Sequence, residues 1–390
     1  MIASSVTLIN IFVWYYVLRA FAVSSVDQSS PSFYAVLDSA IIISAVLGAL
    51  AAKRTRRVNI FYFWIVMGVI STPVITFLSV TGDVLITALF LGFSFGIGLP
   101  SGLSYFADST TFEKRGMASG ILFMTATVGS LLLLSVLVDN FWTSVVASVW
   151  RILGLIILLF VRNEAIEQPL KEKTSFRSVL SNKSFLLYVL PWLLFALVDS
   201  VEKPYFSSLV TMSGQTAFAS FDNWFEPLIG LVSAVIAGFL ADRIGRKKIV
   251  LYGFIALGLT FAILSLAPTY LVFWYIASAV DGVAWGIFYV MFVFVLWGDI
   301  SPPGGIREKY YAFGAIPFFL AEIVGKVVEP FAKQVTIQTF YAAFPLASFF
   351  LFVAVLALMY APETLPETRI KEIELKGYVE KAKKTKEKYS

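Results

Sequence analysis

Along nearly the whole of this chain, apolar runs of about 20 residues alternate with short polar links, and each run is long enough to cross a hydrocarbon core of about 30 Å as a helix. Read between breakers, the runs lie near 5–26, 33–52, 58–80, 84–106, 117–138, 141–161, 184–203, 222–242, 247–267, 270–298, 310–331 and 338–361. A water-soluble domain carries about 25% charged residues. Here 58% of residues are hydrophobic and 14% charged, more apolar surface than a domain in water can hide. The ten-residue alternation of a membrane barrel is absent. The chain reads as an all-α membrane protein with twelve transmembrane helices. The first run starts near Met1 without a basic leader, so it reads as a spanning helix rather than a cleaved signal.

The links say how the spans are oriented. Those between spans 2 and 3, 4 and 5, 6 and 7, 8 and 9, and 10 and 11, with the tail, hold 25 of the 30 lysines and arginines. Positive residues stay on the cytoplasmic side, so both termini are expected there. The links also repeat. Gly48 before "KRTRR" lies 190 residues from Gly238 before "DRIGRKK". Gly92 and Gly96 of span 4 lie 190 residues from Gly282 and Gly286 of span 10, and "FEKRGMASG" finds a counterpart in "REKYYAFG". The spacing predicts two pseudo-symmetric six-helix bundles, 1–161 and 184–361, joined by a linker at 162–183 and followed by a tail at 362–390.

Several chemistries are excluded. The chain has neither cysteine nor histidine, so disulfides, thiol catalysis and cysteine-ligated metals are out. Any proton handled here must ride on a carboxylate. No Walker loop precedes a strand, and no nucleophile or metal-ligand cluster stands out. An enzyme is not expected, nor a cofactor, a metal or a nucleic-acid partner. The tail "KGYVEKAKKTKEKYS" reads as a solvated helix with some attraction for anionic lipid.

"GFLADRIGRKK", residues 238–248, brings a family into view. It is similar, position for position, to the cytoplasmic loop signature of the major facilitator superfamily, with Gly238, Asp242, Arg243, Gly245, Arg246 and Lys247 in their places. The 6 + 6 layout, the long central link, the "RG…G" element entering span 5 and "APETLP" after span 12 extend the resemblance over the chain. Physically, Gly238 permits close helix approach, Gly245 a tight turn, and the cations hold the loop in the cytoplasm. Asp242 is placed to meet the positive N-terminus of a neighbouring helix. The resemblance implies that this helix is span 5, near Met117, and that the contact latches the cytoplasmic side shut. In the first half Ala52 replaces the acid and Thr55 the glycine, so the mirrored latch onto span 11 is expected to lack its acid and the gate to be asymmetric. The resemblance also implies that spans 1, 4, 7 and 10 line a cavity, and that the protein works as a monomer.

Ionisable groups inside a bilayer are functional candidates by default. Asp281 stands eleven residues into span 10, about 16 Å deep, and is expected near the midplane of the cavity. Glu322 lies at similar depth in span 11, with Lys326 one turn on and able to pair with it; Glu329 is nearer the rim. Arg19, after the aromatics Trp14, Tyr15 and Tyr16, could hold a substrate carboxylate or neutralise Asp281 or Asp199. Asp199 and Glu226 sit in outer halves of spans 7 and 8. Arg151 reads as structural. In span 10, Trp285, Phe288, Tyr289, Phe292 and Trp297 offer aromatic lining. The arginine of many proton-coupled relatives aligns with Ala88, and span 5 lacks the signature of drug/proton antiporters. The leading expectation is a cell-membrane secondary transporter that moves a small organic solute by alternating access. Asp281, then Glu322, would carry a coupling proton. A uniporter of the same fold and a non-transporting receptor or scaffold stand as alternatives.

Overall fold

The computed structural model describes residues 2–25, 31–52, 55–81, 84–136, 139–160, 175–212, 216–266, 270–302, 307–332 and 337–366, with 371 and 375. Every regular element among them is helical. Twelve helices are long and apolar enough to span a membrane: Ile2–Val23, Pro31–Ala51, Arg57–Leu78, Val84–Ser109, Arg115–Ser135, Phe141–Phe160, Lys183–Val210, Ala217–Ile244, Arg246–Leu266, Leu271–Ile300, Arg307–Ala332 and Ala342–Tyr360. They are numbered spans 1 to 12. The sequence runs locate all twelve, but spans 7 and 8 extend well past the expected ends. Glu202, Lys203 and Asp222 depress the local hydropathy there while the helices continue. Most of the linker and the basic end of the tail lie outside the described residues. Only a short turn, Phe176–Leu180, precedes span 7.

The repeated glycines do the same job in each half. A side chain at Gly92 or Gly96 would strike the backbone of span 2, so span 4 packs directly on it. At Gly282 and Gly286 the obstacle is the backbone of span 8. Small residues let helix backbones meet where lipid supplies no hydrophobic drive.

Two of the cavity helices are irregular. Span 4 breaks after Gly96 and restarts at Leu99, with Pro100 in its first turn. Gly98 at the break lies against the Trp64 ring. Span 10 loosens into a π-helical stretch over Tyr289–Val295. Such a stretch resets which side chains face a given direction, and it recurs at functional sites.

The halves touch most closely where span 5 crosses span 8. Gly116 and Gly238 lie backbone to backbone, leaving no room for a methyl group on either. Gly238→Ala is expected to force this crossing apart at a cost of about 1–3 kcal/mol. It should lower the thermal midpoint of the purified protein. An unchanged midpoint would mean that the crossing is looser than described.

Candidate functional site

The basic links gather on one face, and there the halves are joined by buried charge. Asp242 accepts hydrogen bonds from the backbone N–H groups of Gly116 (3.0 Å) and Met117 (2.9 Å), at the open N-terminus of span 5. Arg246 stands 3.4 Å from Asp242, donates to the Phe112 carbonyl at 2.6 Å and pairs with Asp299 at 2.9 Å. Asp299, at the end of span 10, also binds Arg115 at the start of span 5. The turn that presents Arg246 depends on Gly245, whose φ of 107° favours glycine. Glu363, from "APETLP", braces that turn by accepting from the backbone N–H of Arg246 at 2.9 Å.

The mirrored interface corrects the expectation of an asymmetric gate. Arg57, at the start of span 3, pairs with Asp108 at 2.7 Å and with Glu308 of span 11 at 2.7 Å. Arg307 closes onto Asp108 from the other half. Each interface thus carries one acid, Asp299 or Asp108, held by two arginines drawn from opposite halves. Where Ala52 leaves the loop without its carboxylate, Glu308 supplies one from the facing helix. The polarity is reversed and the closure kept.

Not all of the loop signature takes part. Arg243 is exposed and lies over the Phe239 ring, 3.9 Å from its centroid, and the Lys247 ammonium reaches the Met359 carbonyl at 2.8 Å. Both stay within their own half.

Between the halves lies a cavity of about 80 Å³. Phe12, Tyr15, Tyr16 and Arg19 of span 1 face Tyr289, Phe292 and Trp297 of span 10, with Trp192 and Phe318 at the sides. The rings are locked together: Tyr15 stacks on Phe95 at 3.8 Å, and Phe292 on Trp192 at 4.9 Å. Away from the basic face, the polar contacts between the halves among the described residues include the Tyr16–Tyr289 hydroxyl pair at 2.6 Å, the Arg19–Glu322 pair at 3.7 Å and the Lys326 ammonium over the Tyr34 ring, 4.4 Å from its centroid. Beside them Asp38 is 1% exposed, with one oxygen unpartnered, and the buried Tyr15 hydroxyl also lacks a partner. Asp38 lies within electrostatic reach of Arg19, Glu322 and Lys326. Trp285 and Phe288 pack inside the C-terminal half instead.

Other candidates sit elsewhere than expected. Glu322 pairs with Arg19, whereas Lys326 turns to Glu329 at 3.0 Å; both Glu322 and Glu329 are part-buried. Asp199 is held by Lys203 at 3.0 Å and by the Trp285 indole N–H at 2.9 Å, out of the central cavity. Asp281 is not between the halves. It lines a chamber of about 310 Å³ inside the C-terminal half, with Glu202, Asp222 and Glu226. Position along span 10 follows from the sequence, but the direction in which a side chain points does not. Asp281 points toward spans 8 and 9, and the cavity-facing residues begin only at the π-helical stretch. Arg151 donates to Asn10 and to the Trp64 carbonyl, both at 2.9 Å, and is structural.

Comparison with known proteins gives the same architecture. Residues 227–378 match the sugar (and other) transporter family. No curated protein matches in sequence. Among solved structures, a bacterial homologue of the iron transporter ferroportin, in its outward-facing state, superposes with TM-score 0.73 at 14% identity, covering 92% of this chain and 97% of that one. The proton:xylose symporter XylE gives 0.67 at 17%, covering 93% and 96%. The human organic anion transporter MFSD10 gives 0.65 at 13%, covering 91% and 99%. Twelve spans in two matched halves close around a central cavity, the architecture that these membrane transporters share. The likeness to these solved structures is one of fold, and the family match lies within the C-terminal half and tail.

The two basic-face latches are expected to back each other up. With spin labels on cysteines replacing Asn59 and Lys248, Asp242→Asn alone should leave the distance across that face nearly unchanged. Asp242→Asn with Glu308→Gln should add a longer-distance population. A single substitution that opens the face fully would show that one interface carries the closure alone.

Proposed function

We propose that the protein is a secondary active transporter that moves a small organic solute by alternating access, with a proton as the coupling ion. The observation that carries this reading is the unequal strength of its two closures. On the basic face the linking charges Arg115, Arg246, Asp299 and Glu308 are almost fully buried. Removing one partner of such a pair costs about 3–5 kcal/mol. Toward the other face, Arg19 and Glu322 are about a quarter exposed and 3.7 Å apart. A pair of that kind contributes at most about 1 kcal/mol. The protein is therefore latched on the basic side and ready to open on the other. With the basic links in the cytoplasm, this is a state poised to face outward. Likeness to an outward-facing structure supports it.

The solute binds among the central aromatics, which hold apolar faces of a small molecule, while the Tyr15 hydroxyl, Asp38 and Arg19 take its polar groups. Coupling moves from Asp281 to Glu322. A proton on Glu322 removes the charge that holds Arg19, frees the guanidinium for Asp38 or the solute, and unlinks spans 1 and 11. The halves then rock about the midplane site.

Once a thermal-shift screen of sugars, organic acids and amino acids has supplied a ligand, proteoliposomes test the scheme. Wild-type protein should accumulate the ligand down an imposed proton gradient. Glu322→Gln should lose at least about tenfold of that accumulation while keeping counterflow. Counterflow without accumulation in the wild type would make the protein a uniporter.

A further inference from the structure

The chamber inside the C-terminal half has no part in that scheme. Four carboxylates line it: Glu202 from span 7, Asp222 and Glu226 from span 8, and Asp281 from span 10. Taking carboxylates out of water is costly unless positive charge meets them. The chamber's one cation, Lys203, is already committed to Asp199 at 3.0 Å and lies over the Trp285 ring, 4.7 Å from its centroid. At about 310 Å³ it is roughly four times the central cavity and reaches the range of about 300–1,000 Å³ in which small-molecule sites fall.

A second observation points to an occupant. Ser278 is 5% exposed, lines the chamber and has no hydrogen-bond partner for its hydroxyl. It sits beside Asp222, one of whose oxygens is likewise buried and unpartnered. A buried hydroxyl without a partner is rare in folded proteins unless a ligand or water completes it. The acids are spread around the chamber, and among the described residues no three acids converge as a metal site requires. Phe206 and Phe218 are among the lining residues, and aromatic rings attract cations. Dispersed acids, a buried hydroxyl beside one of them and aromatic walls suit several N–H donors spread over a carbon frame.

We propose that this chamber is a second ligand site, separate from the central cavity, for a small organic cation carrying more than one amine. It lies wholly within one half, so relative motion of the halves does not reopen it toward the other face. A cation held there is sensed on one side rather than carried across. The inference does not rest on the coupling scheme.

The test is equilibrium binding of radiolabelled 1,4-diaminobutane to the purified full-length protein at fixed ionic strength. Binding to wild type should saturate and yield only weakly to Mg²⁺ or tetramethylammonium. Glu226→Gln and Asp281→Asn should each weaken it by about tenfold, a charge-assisted contact being lost. The milder Ser278→Ala should weaken it measurably, and Glu322→Gln in the central cavity should leave it unchanged. No saturable binding to wild type would overturn the proposal, and needs no variant to fold. So would stronger displacement by Mg²⁺, unaltered binding to Ser278→Ala, or loss of binding in Glu322→Gln.

Discussion

Asp299 holds two guanidinium groups at once, one from each half of the molecule, in a place where water does not reach. A lone carboxylate there would be prohibitively costly, and so would either arginine alone. The three are stable only together, which makes the closed basic face a cooperative state rather than a sum of weak contacts. Asp108 repeats the arrangement with Arg57 and Arg307, so the twofold repeat of the chain becomes a twofold repeat of its clasp. Because each clasp draws its cations from opposite halves, neither half can tilt without breaking both.

Everything toward the other face is lighter. Aromatic rings fill the centre, and among the described residues the polar contacts beside them are the Tyr16–Tyr289 and Arg19–Glu322 pairs and Lys326 over the Tyr34 ring. The π-helical stretch of span 10 belongs to this design. It aims Tyr289, Phe292 and Val293 at the cavity and leaves Asp281, only two turns earlier, facing its own half. One helix thereby serves two compartments of opposite character, one aromatic and nearly uncharged, the other acidic.

Much of this was legible in the sequence. Hydropathy located all twelve spans, and the glycines at constant offset marked the helix crossings that repeat between halves. The loop signature pointed to Asp242 and the start of span 5. What it could not supply was direction and distant pairing. Glu308 compensates for the missing acid by pairing with Arg57, 251 positions away, with no local pattern to announce it. The acidic chamber is hidden in the sequence because Glu202 and Asp222 fall at the very ends of the apolar runs 184–203 and 222–242, where a charged residue reads as facing water. Asp38, a carboxylate seven residues into an apolar span, is as conspicuous in the sequence as Asp281. The Glu322–Lys326 pairing failed because helical spacing gives proximity but cannot show that Arg19 competes for the same acid.

The central claim is that one aromatic cavity is open to a single face at a time. The chain contains no cysteine, so Val293→Cys, on the cavity wall, gives a unique thiol. The direct measurement is its reaction with a membrane-impermeant maleimide applied to either side of oriented proteoliposomes. The account predicts labelling from the side opposite the basic loops, with reactivity shifting toward the basic side once a transported solute is present. Labelling from both sides at once, or from the basic side alone without solute, would contradict it.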